Sequence, residues 1–388
     1  MALSNPIARL ARLAPAIAAL LFLAASAPEA LAATITGGDV IHRRTGDPIR
    51  GTISGESIDG IQLGAGQVTI PIAGVVSIDY FDRPEAFRLG MDRRQQGLYA
   101  EAARYFDTAA RTPNVREFWL KPACLYLAGL SLLDEGADLA AAEAKFRELL
   151  EQHPKSRYRY DALLALGRIQ LNQRKFDAAI AQFKKLADEL AGRSGWEEML
   201  GNAHLWQGYT YLDADKPELA QQAAKRALDV ALDPKGDLAV QARMVQALVF
   251  LKQTEPEKAI KLLDELIRSV AARVAEEIER GGAEVRWQRT EAQCYNNLGQ
   301  AYLKLNAKTK KQEDLRQALL AFLWTVVLYP RTQFAAEHEE ALFHAAECFE
   351  KLGQKARATE LRNELSERYP DSPYNRSAGG TKAGKKGD

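Results

Sequence analysis

The run Asp161-Ala162-Leu163-Leu164-Ala165-Leu166-Gly167 is answered further on by Ala179-Ile180-Ala181-Gln182-Phe183-Lys184-Lys185-Leu186. In both runs apolar residues recur three and four positions apart, which is the period of a helix with one buried face. Leu163, Leu166 and Gly167 mark the first helix; Ala179, Phe183 and Leu186 mark the second. Pro154 ends whatever comes before them, because proline cannot continue a helix. The unit is a hairpin of two helices, A and B.

Working outward, the unit returns from about Ala86 to Tyr374. A small residue falls near the eighth position of helix A at Gly90, Gly129, Gly167, Gly208, Ala247, Gly299 and Ala346. Another falls early in helix B at Ala102, Ala142, Ala179, Ala220, Ala259, Ala318 and Ala358. A bulky partner on helix B is present as Phe106, Phe146, Phe183, Leu263 or Phe322, and Pro113, Pro154, Pro234, Pro330 or Pro370 closes a copy. Small residues at matched offsets mark where A and B approach closely, so seven hairpins are expected. Self-similarity of this length means a solenoid whose units bury their faces on one another. The copy around Ala247 is the least regular, with Arg243 and Gln246 at expected apolar positions. A helical pattern continues over Ser269 to Arg280 and ends at Gly281-Gly282.

These offsets identify the chain as resembling the tetratricopeptide repeat family. The ending Arg368-Tyr369-Pro370-Asp371-Ser372-Pro373-Tyr374 is similar to repeat ends of its periplasmic members, such as the β-barrel assembly lipoprotein and the Tol–Pal coordinator. The resemblance implies a mainly α solenoid that binds a protein or peptide partner on the concave face lined by helix A. Carried over copy by copy, it implies Phe87 and Met91, Tyr126 and Leu130, Leu164 and Arg168, Leu205 and Tyr209, and Met244 and Leu248. Asn296 and Gln300, then Phe343 and Glu347, continue the row. The first five pairs suit an apolar peptide or helix, whereas Asn296, Asn297 and Gln300 suit an extended backbone. A clamp for a chain-terminal carboxylate needs Lys and Arg in adjacent copies, and Arg168 alone does not make one. Tight superhelical turns would instead bury many of these residues.

Before the helices, residues 33–82 read as a small antiparallel β unit of about five strands. Short β-branched runs such as Ile49 to Ile53, Val68 to Ile72 and Val75 to Tyr80 stop at glycines. The pattern resembles a small SH3-like or Sm-like barrel. A unit of this size is marginal alone and is expected to pack on the first helices. Asp82-Arg83-Pro84 opens the solenoid, assigned to residues 84–374.

Residues 1–32 read as a signal peptide. Arg9 and Arg12 precede the apolar stretch Leu13 to Ala25, and Ala30-Leu31-Ala32 has the small-x-small form of a cleavage site. Cleavage near Ala32 would place the mature chain, from Ala33, in the periplasm or otherwise outside the cytoplasm. No cysteine follows the site, and no later run has 18 apolar residues, so no transmembrane segment is expected in the mature chain. Residues 375–388 are rich in Gly, Ser, Thr and Lys and read as a disordered basic tail.

Charge excludes some classes. With 52 Lys+Arg against 51 Asp+Glu, no global field points to nucleic acid. Cys124, Cys294 and Cys348 have neither the number nor the spacing of a disulfide framework. No nucleophile, phosphate-loop or zinc-protease motif is present, so neither an enzyme nor a cofactor is expected. The one metal candidate is Glu340, His344 and Glu347, which share a helix face but lack a fourth ligand. The sequence thus points to an exported, non-catalytic scaffold in the bacterial cell envelope. Two rivals stay open, a cell-wall polymer-binding or hydrolase-accessory protein and a homo-oligomeric structural protein.

Overall fold

The computed structural model describes residues 38–377 except 44, 45, 65, 67, 137, 280–284 and 330–333. The expected signal peptide, Gly281-Gly282, Pro330 and most of the basic tail lie outside the described residues.

Among these residues the solenoid has seven A/B hairpins. They are α1 (Glu85–Gln95) with α2 (Tyr99–Ala109), α3 (Glu117–Glu135) with α4 (Leu139–Gln152), and α5 (Arg159–Asn172) with α6 (Phe176–Leu190). Next come α7 (Glu197–Asp213) with α8 (Pro217–Asp229), and α9 (Asp237–Lys252) with α10 (Pro256–Glu279). α11 (Val285–Thr309) pairs with α12 (Gln312–Leu328), and α13 (Ala335–Lys351) with α14 (Lys355–Arg368). A last short helix, α15 (Pro373–Ser377), starts the chain end, so the first three residues assigned to the tail are helical.

The small residues of helix A face helix B as their spacing requires. A Cβ placed on Gly90 would stand 2.8 Å from Cε1 of Phe106, and one on Gly299 would stand 2.5 Å from Cζ of Phe322. At Gly167 the Phe183 ring is closer still. Hairpin 4 has no such phenylalanine. There Gly201 and Gly208 receive Leu238 and Val245 of α9, so the A helices α7 and α9 pack directly on each other. The irregular copy around Ala247 is a well-formed hairpin. Ala247 and Leu263 are fully buried, and Arg243 turns outward to donate to the Pro234 carbonyl at 2.7 Å.

Every A-to-B turn holds one residue in the left-handed region. These are Gly97, Gly136, Arg174 (φ 58°), Asp215 (56°), Thr254 (58°), Lys310 (58°) and Gly353.

The β unit differs from the expected barrel. Six strands form two three-stranded antiparallel sheets instead of one closed set. They are β1 (Asp39–Arg43), β2 (Ile49–Gly51), β3 (Ile53–Glu56), β4 (Ile61–Leu63), β5 (Val68–Ile70) and β6 (Val75–Asp79). The sheet orders are β2-β1-β6 and β3-β4-β5. The ladder divides at Thr52: β2 pairs with β1, while β3, resuming one residue later, pairs with β4. Helices close the core that a barrel would close by itself. Ile41, Ile53, Ile61, Ile70 and Ile78 share one cluster with Phe87, Phe106 and Trp119, which is the docking onto the first helices that the size of the unit demands. Tyr80 stacks on Trp119 with ring centroids 4.1 Å apart.

A polar weld accompanies this packing. Arg116, at the entrance of α3, donates to both oxygens of Asp39 at 2.7 and 2.6 Å and to Asp82 at 2.9 and 2.7 Å. Asp39 is fully buried and also accepts from the amides of Ile53 and Phe81. Further along, Glu56 accepts from Tyr80 and pairs with Arg157 at 3.3 Å, the Ile58 amide donates to the Lys155 carbonyl, and Asp59 lies 3.5 Å from Arg193. The β unit therefore runs along the edge where α3, α5 and α7 begin. No described helix is long and apolar enough to cross a membrane.

Candidate functional site

The inner face is the row of A helices, and the residues assigned to it meet different fates. In hairpin 1, Met91 is 45% exposed and Phe87 is buried, its ring edge-on to Trp119. Both border an open depression with Arg83, Arg88 and Asp92. In hairpin 2, Tyr126 is half-buried and stacks on Tyr158 at 4.8 Å, and Leu130 is half-buried beside it. In hairpin 3, Leu164 is half-buried and Arg168 lies 4.8 Å over the ring of Trp206. In hairpin 4, Leu205 is buried, while half-buried Tyr209 donates to Gln241 at 2.8 Å.

From α9 onward the row closes in part, with Leu248 and Glu347 half-buried. Met244 is 2% exposed. Asn296 is 1% exposed and donates to the Glu337 carbonyl at 2.9 Å and to Glu340 at 3.1 Å. Gln300 is half-buried. The ring of Phe343 is covered by Tyr374 of α15 at 5.1 Å. Of the amides expected to meet an extended backbone, Asn296 thus bonds to the next A helix and Asn297 donates to Sδ of Met244 at 3.2 Å. Glu340, His344 and Glu347 share a face as expected but do not converge. Glu340 reaches Asn296 while His344 contacts Glu347 at 2.9 Å, and no described group of three such side chains could hold a metal.

The open part of the inner face carries charge that register reasoning missed. Arg94 of α1 donates to Asp134 of α3 at 2.6 Å and to Ser131 at 3.2 Å. Arg168 of α5 approaches the same Asp134 at 3.9 Å. Arg94 and Asp134 sit one helical turn past Met91 and Leu130, so an i+3 or i+4 step along the same face would have found them. Burial pulls the Arg168 guanidinium below its ordinary pKa and Arg94 adds to this, against the opposing pull of Asp134 and Tyr126. Burial pushes the Asp161 carboxyl up to about 6, with only Arg157 and a backbone amide opposing it. Burial also keeps the Tyr126 phenol neutral by pushing its pKa well up. Arg94, Arg168, Asp134 and Asp161 therefore share this part of the surface with the rings of Tyr126, Tyr158 and Trp206. Cys124 and Cys348 are buried thiols pushed up to about 12.

Tetratricopeptide repeat models match residues 87–157, 126–194 and 206–274, with further matches at 292–321 and 340–372, together more than half of the chain. The chain is a tetratricopeptide repeat protein. Similar solved folds include a tetratricopeptide repeat protein from Parabacteroides merdae ATCC 43184, at 14% identity, with a TM-score of 0.50 over 76% of this chain and 95% of that one. The apo quorum sensor NprR from B. thuringiensis aligns at 15% identity and TM-score 0.53, over 73% of this chain and 74% of that one. A Rap protein solved with Competence and Sporulation Factor aligns at 16% identity and TM-score 0.52, over 75% and 78%. At these identities the likeness concerns the fold. No curated protein matches the sequence. As in tetratricopeptide arrays generally, the fold makes this chain a scaffold for protein partners.

Proposed function

We propose that this tetratricopeptide repeat protein is an exported, non-catalytic scaffold that holds a peptide segment of an envelope protein on its concave face. The observation that carries the binding reading is the half-exposed row Tyr126, Tyr158, Arg168, Trp206 and Tyr209, which crosses three successive A helices. Aromatic and arginine side chains at the centre of a surface supply most of the energy of typical interfaces. Support for export comes from the order of Arg9 and Arg12, the apolar stretch and Ala30-Leu31-Ala32.

Two measurements test the reading. Intact-mass analysis of the natural protein should give a chain starting near Ala33 in the envelope fraction; a cytosolic protein that keeps residues 1–32 would refute export. Capture of partners from crosslinked envelopes should fall at least several-fold for Tyr126→Ala plus Tyr209→Ala while circular dichroism stays helical. Deleting residues 378–388 should leave capture intact, since the three lysines it holds give only screened attraction. The reverse pattern would assign the partner to the tail.

A further inference from the structure

We propose that the groove spanning hairpins 1 to 4 seats an acidic side chain of the bound segment on Arg168, beside the Asp134 carboxylate. This rests on the peptide-groove reading above and specifies the chemistry of the peptide.

Arg168 is the under-compensated group of this surface. Its side chain is 30% exposed, so most of its hydration is gone. In return it has the face of Trp206 and an ion pair at 3.9 Å, which is too long for a hydrogen bond. Its guanidinium makes no hydrogen bond among the described residues. Asp134 does not hydrogen-bond it: Oδ2 of Asp134 accepts from Arg94 at 2.6 Å, and Oδ1 stands 3.9 Å from the Arg168 guanidinium. Two guanidiniums thus share the Asp134 carboxylate. Asp161 lies two turns earlier on α5, where its charge acts on Tyr126, while the charged groups acting on Arg168 are Asp134 and Arg94. Tyr126 and Tyr158 are neutral. A guanidinium stacked on an indole presents the edge of its fork, which matches a carboxylate in two parallel hydrogen bonds. The stacked pair Tyr126–Tyr158 stands beside this edge and suits an apolar neighbour of the acidic residue.

The charge of Asp134 opposes an incoming carboxylate. An incoming carboxylate can pair with Arg168 while Asp134 stays on Arg94. Removing the charge at Asp134 frees both guanidiniums and strengthens the preference for acid.

The test selects a displayed library of random twelve-residue peptides on the full chain at neutral pH. It then measures one recovered peptide and its Glu→Gln or Asp→Asn copy by titration. The expected result is enrichment of Asp or Glu at one position and a copy about tenfold weaker, as loss of one charged hydrogen-bonded contact implies. That difference should vanish for Arg168→Gln and grow for Asp134→Asn. If peptides depend on Tyr126 and Tyr209 but show no acid preference, or keep it in Arg168→Gln, the acid seat is overturned and the groove reading stands. If no recovered peptide depends on those tyrosines, the groove reading falls and the acid seat with it.

Discussion

Hairpins 1 to 3 and hairpins 5 to 7 share one register but spend the same helix A positions differently. Tyr126 and Arg168 stay half-exposed, while Met244 and Asn296 are buried and Leu248, Gln300 and Phe343 are half-buried. At α7 and α9, Gly201 and Gly208 admit Leu238 and Val245, so these two A helices approach closely. At α3 and α5, bulky rings and an arginine hold the surface open. The β unit reinforces the contrast, since it braces only the early hairpins. Whether a register position is surface or interior is decided by the side chains of the next hairpin, not by its own offset.

The strongest way to break this comparison is to cut the brace. Arg116→Ala leaves Asp39 buried with its charge unpaired, which should cost about 3–5 kcal/mol. Chemical denaturation of the variant should lose that much, and amide exchange at Ile41 and Ile53 should speed up while hairpins 5 to 7 stay protected. Uniform loss of protection would mean that the two halves unfold as one unit.

Glycine crossings should show no such contrast, because the A-to-B contact is the same in both halves. Gly167→Ala and Gly299→Ala each press a methyl group into a phenylalanine ring, Phe183 in one case and Phe322 in the other. Each should lower stability by about 1–3 kcal/mol. A neutral result at either position would show that its helix pair can spread freely.

A smaller effect separates the halves by pH. The folded-state pKa of Asp161 is raised from 3.8 to about 6, so folding takes up a proton between those values. Stability from this group is highest below pH 4 and is lost as pH rises to about 6. Asp161→Asn should flatten that part of the stability–pH curve, read as the difference between the two proteins. Identical curves would mean that the carboxyl finds a partner in solution.

Much of the helical part could be read in the chain itself. The Gly90 to Ala346 series and its Phe106, Phe146, Phe183 and Phe322 partners report contacts inside one hairpin, at short and fixed offsets. The inner face was less readable because contact between successive A helices depends on pairs such as Asn296 with Glu337, forty-one positions apart. The brace was unreadable for the same reason: Asp39, Asp82 and Arg116 carry no local pattern and meet only through the fold. The division of the strands at Thr52 likewise leaves no mark in the alternation from Ile49 to Ile53.

The left-handed turns have an engineering consequence. Four consecutive ones, at Arg174, Asp215, Thr254 and Lys310, lack glycine, and Thr254 is branched at Cβ. Such a backbone costs an ordinary residue about 1–2 kcal/mol, part of which glycine returns as lost chain freedom. Arg174 and Asp215 also hold Phe176 and Lys252, so glycine there would remove a contact as it relieved the backbone. Thr254 and Lys310 are therefore the two codons where glycine is the simplest route to a hardier version.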